Sequence, residues 1–182
     1  GPAGARSVGG ALAFSHPRSQ SALLRALSGD ADELEGGGHD TFLVRDPERV
    51  LTSYAKVRDE PTLEDLGLPQ QLELFETYGG PVVDAADVLR DPRGTLTLLC
   101  EALGIGFDEA MLSWPAGPRD TDGVWAPHWY ADVEASTGFA PYAPGSGDPL
   151  PDRLAPLLER CRPYYEALAP YRLRPADRTE ES

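Results

Sequence analysis

Two side chains near one turn carry the clearest chemical signal in this sequence. Arg45 closes a short apolar run, Thr41-Phe42-Leu43-Val44, and Ser53 lies two turns into the segment that follows. A guanidinium fork and a hydroxyl beside a helix start suit an anion of the phosphate type. An Arg that only pairs with Asp46 or Glu48 fits the same residues. A second grouping lies earlier, where Arg18, Ser19 and Ser21 stand in the polar stretch His16-Pro17-Arg18-Ser19-Gln20-Ser21. A polar turn between a strand and a helix lets backbone amides face a phosphate. The glycines and the Gly-Lys-Ser/Thr ending of a Walker A loop are absent, so an ordinary strand–helix turn also accounts for it.

The elements that position these residues are predicted from local pattern. Thr41–Val44 reads as a buried strand. Asp46-Pro47 starts a helix running to about Arg58, since Asp caps free amides and Pro is tolerated in the first turn. Val50, Ser53, Tyr54 and Val57 share one face of it. Upstream, residues 1–10 read as a flexible lead, Gly10–Ser15 as a small-residue strand and Ala22–Leu27 as a helix. Ser28–Asp40 is acidic, glycine-rich and loop-like. Downstream, Thr62–Leu66 reads as a capped helical stretch ending at Gly67. Leu68–Tyr78 reads as a helix with Leu68, Leu72, Phe75 and Tyr78 inward, stopped by Gly79-Gly80. Pro81–Ala85 is the next strand. Asp91-Pro92 opens a helix that buries Leu96, Leu99, Cys100 and Leu103 and stops at Gly104. Phe107–Leu112 is a short helix. Strand–helix alternation of this kind predicts an α/β protein with a short parallel sheet and right-handed crossovers.

Residues 113–148 form an aromatic, Pro/Gly-rich, lid-like region holding Trp114, Trp125, His128, Trp129 and Tyr130. It reads as a lid stapled to the core by its tryptophans, or as a wall of a binding site formed by Trp125, His128 or Trp129. Leu150–Tyr171 is a final helix bent by Pro156 and Pro163. Its apolar face is Leu154, Leu157, Leu158, Cys161, Tyr165 and Leu168. Residues 176–182 are a loose tail.

The chain has 182 residues, enough for a single domain with a sizeable core. A formal net charge of −14 argues against a nucleic-acid surface. Arg18, Arg25, Arg45, Arg49, Lys56 and Arg58 nevertheless concentrate cations in the first third. No apolar run approaches the ~20 residues of a membrane span, and GPAGARSVGG lacks the apolar stretch of a signal peptide. Cys100 and Cys161 have no metal-ligand spacing around them. They read as buried thiols in a reducing, cytoplasmic setting.

The segment LVRDPERVLTSYAKVR resembles the 3'-phosphate-binding segment of sulfotransferases that use 3'-phosphoadenylyl sulfate (PAPS), with Arg45, Pro47 and Ser53 matching its pattern. PRSQSALL is similar to the 5'-phosphosulfate loop of bacterial members of the family. Pro17, Arg18, Ser19, Ser21, Leu23 and Leu24 fit; Gln20 stands where Gly is usual, and Ala22 replaces a hydroxyl residue. The stretch from the second strand through the Asp-Pro helix to its Leu-Gly stop resembles the late part of that fold. The resemblance implies a P-loop-type three-layer sandwich with a helix-rich C-terminal part. It also implies transfer of a sulfonate group from PAPS to a hydroxyl or amine of a small-molecule acceptor, without a metal and with adenosine 3',5'-bisphosphate as product. Arg18, Ser19 and Ser21 would hold the 5'-phosphosulfate, and Arg45 and Ser53 the 3'-phosphate. Arg119 falls where the family places a basic loop, but the family's Arg-Lys-Gly pattern is missing. The catalytic residue is unknown, because Ser28–Asp40 is far shorter than the interval that carries the family's base. Glu33, Glu35, His39 and His128 match no base context. The interval is either natively short or lacks a segment. The alternative function is a non-catalytic sulfotransferase-like nucleotide-binding or interaction protein. A phosphotransferase on the same fold lacks its lysine and Mg²⁺ ligands. A homodimer through the helical part is compatible with the pattern.

Overall fold

A computed structural model of the protein describes residues 41–56, 59–117, 136–144 and 148–175. Within them, β1 (Phe42–Val44) leads into α1 (Pro47–Tyr54), and α2 (Leu68–Tyr78) leads into β2 (Val82–Asp84). Next come α3 (Ala85–Arg90) and α4 (Pro92–Leu103), a 3-10 turn at Glu109–Leu112, and α5 (Ala155–Leu168) between 3-10 turns at Asp152–Leu154 and Ala169–Tyr171. The strands pair in parallel, with Phe42 opposite Val82, Leu43 opposite Val83 and Val44 opposite Asp84. This is the α/β arrangement with a small parallel sheet that the alternation predicts. Arg172 bridges Val82 in parallel on the far side of β2, and the Leu173 amide donates to the Val82 carbonyl at 2.8 Å.

The pleat sorts the side chains of the sheet. Leu43 and Val83 face a core shared with Ala85, Val88, Leu96, Leu99, Cys100 and Met111 from the α3–α4 side. Phe42, Val44 and Val82 face the other way, against Leu168 of α5 and Leu72 and Phe75 of α2. A third cluster joins Val50 and Leu51 of α1 to Leu63, Leu66, Leu68, Leu158 and Cys161. Gln71, 1% exposed, donates from Nε2 to the Leu43 carbonyl at 2.9 Å, which satisfies a buried amide inside the core.

The start and stop signals work as expected. Asp46 and Asp91 cap α1 and α4, and both helices carry Pro in the first turn. Gly79 (φ +65°) and Gly104 (φ +71°) end α2 and α4 in a backbone conformation that suits glycine. The final helix is shorter than the expected Leu150–Tyr171: α5 buries Leu158, Cys161 and Leu168 and partly buries Leu157 and Tyr165, while Leu154 is buried in the 3-10 turn before it.

Several local expectations are corrected. Helix α1 ends at Tyr54, Ala55 and Lys56 close it as a turn whose amides donate back to Leu51 and Ser53, and Val57 and Arg58 lie outside the described residues. Its inward stripe is Pro47, Val50, Leu51 and Tyr54, so Ser53 sits on the shoulder of the buried face. Residues 62–66 form a turn and no helix: Thr62 and Asp65 close a reciprocal hydrogen-bonded box that Gly67 ends at once. Phe107–Leu112 shrinks to the 3-10 turn at Glu109–Leu112. Tyr78 is 68% exposed, because α2 runs past its packing partners and Phe75 is its last aromatic in contact with the sheet, edge-on to Phe42 at 5.4 Å.

Candidate functional site

Arg45 leaves β1 at its carboxyl end, the edge at which open parallel sheets bind ligands. Local sequence explains the bend. Asp46 Oδ1 accepts from the amides of Glu48 at 2.9 Å and Arg49 at 3.3 Å, and Pro47 presets the first helical turn. Asp46 therefore uses the first amides of α1. This cap is the one the Asp-Pro pair predicts, and the turn expected to offer backbone amides, residues 16–21, lies outside the described residues. Arg45 and Ser53 are both half-buried, and the axial rise to Ser53 is ~9 Å from the start of α1.

The neighbouring β2–α3 turn is built differently. Asp84, the last residue of β2, is 1% exposed. Its Oδ1 accepts from the Ala86 amide at 2.7 Å and so caps α3. Its Oδ2 accepts from the Tyr165 hydroxyl at 2.6 Å and from Arg172 Nη1 at 2.5 Å. Arg172 Nη1 also donates to the Tyr165 oxygen at 3.0 Å, and its Nε to the Ala169 carbonyl at 3.2 Å. Asp87 stands 3.8 Å from the same Nη1 and pairs with Arg90 at 2.9 Å. Burial, then the hydrogen bond and charge of Asp84, push the Tyr165 hydroxyl well above its ordinary value; the charge of Asp46 acts in the same direction. Burial pulls Arg172 down, but its hydrogen bond to Asp84 and the charges of Asp84, Tyr165 and Asp87 outweigh it, so the guanidinium stays charged.

Residues 136–144 fasten across this side. The ring of Tyr142 lies 4.2 Å from the Arg90 guanidinium and 5.7 Å from that of Arg49. Arg90 Nη2 donates to the Tyr142 hydroxyl at 2.8 Å, and Arg49 Nη2 to the Ala143 carbonyl at 3.2 Å. Trp114 is buried, donates from Nε1 to Ser136 Oγ at 3.0 Å and packs edge-on against Phe139. Trp114 thus ties Ser136 and Phe139 to the core, and Arg90 and Arg49 hold Tyr142 and Ala143, while residues 118–135 and 145–147 of the lid-like region lie outside the described residues.

Of the predicted donor-binding residues, the structure places Arg45 and Ser53 as above. Arg18, Ser19 and Ser21 lie outside the described residues, as do Glu33, Glu35, His39, Arg119, Trp125, His128 and Trp129. Sequence reasoning missed the Asp84–Tyr165–Arg172 group. One signal was present: an acid in the otherwise apolar Pro81-Val82-Val83-Asp84-Ala85 has to find partners if buried. Both cysteines are buried and free; burial raises the Cys161 thiol to about 11 and shifts Cys100 upward too. Among the described residues no helix is long and apolar enough to cross a membrane, and no three His, Cys, Asp or Glu gather as a metal site.

Two Arabidopsis thaliana proteins are similar to this chain: "Branched-chain-amino-acid aminotransferase-like protein 1", 40% identical over 148 residues, and "Branched-chain-amino-acid aminotransferase-like protein 2", 37% identical over 148 residues. Each match covers 78% of this chain and 26% of the relative, so the chain spans about a quarter of the length of these curated relatives. No solved structure matches it significantly. The family model described as "Sulfotransferase domain" matches residues 20–171, which takes in every element from β1 to Tyr171 and begins after Arg18 and Ser19. The chain therefore belongs to the sulfotransferase domain family.

Proposed function

We propose that this chain is a single sulfotransferase-like domain, a P-loop-type three-layer sandwich, that transfers a sulfonate group from PAPS to a hydroxyl or amine of a small-molecule acceptor. What supports this reading is the family match together with Arg45 at the carboxyl end of β1 and Ser53 on the helix that follows. In the reading they grip the 3'-phosphate, and Arg18, Ser19 and Ser21 grip the 5'-phosphosulfate. The acceptor oxygen or nitrogen bonds to sulfur as the bond from sulfur to the 5'-phosphate oxygen breaks, and adenosine 3',5'-bisphosphate leaves. Such a transfer relies on positioning and on neutralising charge on the leaving phosphate.

The aminotransferase-like name of the plant relatives is not carried onto this chain. A pyridoxal enzyme holds its cofactor through a lysine. The sole lysine in the sequence, Lys56, is 59% exposed at its side chain and pairs with Asp148 at 2.9 Å.

The test is calorimetric titration with adenosine 3',5'-bisphosphate beside adenosine 5'-phosphate, without metal. The bisphosphate should bind more tightly, since each charge-assisted bond to the 3'-phosphate is worth about 1.5–3 kcal/mol. Equal binding of the two, or none, would overturn the donor assignment. A second reading, donor binding without transfer, is favoured by the short Ser28–Asp40 interval and by Gln20 and Ala22. It predicts bisphosphate binding with no sulfonated product from any acceptor offered with PAPS.

A further inference from the structure

We propose that Tyr165 and Arg172 are positioning residues for the 3'-phosphate arm of the donor site, acting through Asp84 on the turn that carries Arg45. The inference rests on the donor reading above. Three observations lead to it. First, Asp84 lies directly opposite Val44 in the parallel register, so its carboxylate sits at the edge where Arg45 leaves β1. Second, one carboxylate joins three elements: it caps α3, takes the Tyr165 hydroxyl from α5, and takes Arg172 from the segment that pairs with β2. Third, α5, which carries Tyr165, also packs through Leu158 on Val50 and Leu51 of α1, the helix that follows Arg45. Tyr165 thus belongs to a helix that touches both the β2–α3 turn and α1.

The chemistry of the group favours a geometric role over a stabilising one. A buried ion pair commonly adds little stability relative to well-packed apolar side chains of the same volume. The Phe42, Val44, Val82 and Leu168 cluster beside it shows that apolar packing already holds this face of the sheet. Hydrogen bonds add what apolar packing lacks, a fixed direction. Arg172 Nη1 also meets two acids at unequal distance, 2.5 Å to Asp84 and 3.8 Å to Asp87, so its fork is committed to Asp84. The Tyr165 hydroxyl donates to Asp84 and accepts from Arg172, so it is engaged as a strut and not as a base.

The experiment compares adenosine 3',5'-bisphosphate with adenosine 5'-phosphate in the full chain and in Tyr165→Phe, Arg172→Lys and Cys161→Ala. Cys161 is buried on the same helix, belongs to the cluster beside α1 and makes no hydrogen bond to Asp84. Tyr165→Phe and Arg172→Lys should weaken bisphosphate binding about three- to tenfold, the net worth of one hydrogen bond, while 5'-phosphate binding changes less than about twofold. Cys161→Ala should lower the melting temperature and keep the ratio of the two affinities. Loss of both nucleotides in equal measure, an unchanged ratio, or the same contraction in Cys161→Ala overturns the inference. If Arg172→Lys does not fold, Tyr165→Phe, which keeps the ring, decides alone. A wild-type chain without bisphosphate preference removes the donor reading itself, and the inference falls with it; preference kept in the wild type and in both network variants removes the inference only.

Discussion

The β1–α1 and β2–α3 turns follow one plan, a parallel strand, an aspartate cap and a helix, yet they end in opposite environments. In the first, Asp46 comes two residues after the strand, is half-buried, and spends one oxygen on the amides of Glu48 and Arg49. In the second, the acid is the last strand residue. The pleat then turns Asp84 to the same face as Val82, toward α5, where it is 1% exposed and must be neutralised by Arg172 and Tyr165. A shift in where the acid falls relative to the strand end decides between a partly solvated cap and a buried, paired charge. One turn carries a half-buried Arg at the carboxyl edge of the sheet; the other is locked from behind by the segment around Arg172.

The sharpest way to break this contrast is Arg172→Met, which strands Asp84 without its cation. We expect a loss of about 3–5 kcal/mol in urea unfolding, the cost of an uncompensated buried charge. A loss below about 1 kcal/mol, within the usual range for a surface pair, would make the two turns alike. Next in size, Arg45→Ala should weaken adenosine 3',5'-bisphosphate binding by about 1.5–3 kcal/mol, a change of one to two orders of magnitude. Its unfolding midpoint should move less than that of Arg172→Met; the reverse ranking would make Arg45 a structural residue. Asp46→Ala should cost about 1 kcal/mol of stability, as an ordinary cap does, read as a shift in thermal midpoint. A cost equal to that of Arg172→Met would show that Asp46 is as buried in its role as Asp84.

The smallest effect is in alkali. The Cys161 thiol is raised by burial from 9.0 to about 11, and Tyr165 is raised from 10.0, first by burial and then by Asp84. Both groups stay protonated in the fold beyond the point where the unfolded chain releases its protons. Their contribution is therefore complete below the ordinary values and is lost as pH rises from about 9 upward. Thermal melts from about pH 7 to about pH 11 should show a level region followed by a decline, less steep in Cys161→Ala and in Tyr165→Phe. A melting temperature level through that range in the wild type would contradict the burial of both groups.

Local chemistry made much of the frame legible. Asp46-Pro47 and Asp91-Pro92 announced helix starts, Gly79 and Gly104 announced stops, and the two short apolar runs became the parallel pair. Of the site, the Arg45–Asp46–Pro47 turn could be read because its residues are neighbours. Helix α3 was missed, since Ala85–Arg90 is too short for apolar periodicity to register. Thr62–Leu66 was misread because its cap pairs with Asp65 and stops after one turn. Tyr165 was read as packing alone and Arg172 was passed over, because their partner Asp84 lies 81 and 88 residues away along the chain.

By itself, then, the sequence determined where the chain bends, which segments are apolar enough to pair, and which cation and hydroxyl flank the first turn. Capping, proline and glycine act within a few residues, so no distant partner is needed to predict them. Only the tertiary structure decided that Asp84 is buried, that α5 and the Arg172 segment supply its donors, and that Asp46 keeps the first amides of α1 for itself. The reason is physical. A carboxylate at a strand end can cap, pair or bind, and the choice depends on which donors the packed helices bring within hydrogen-bond reach.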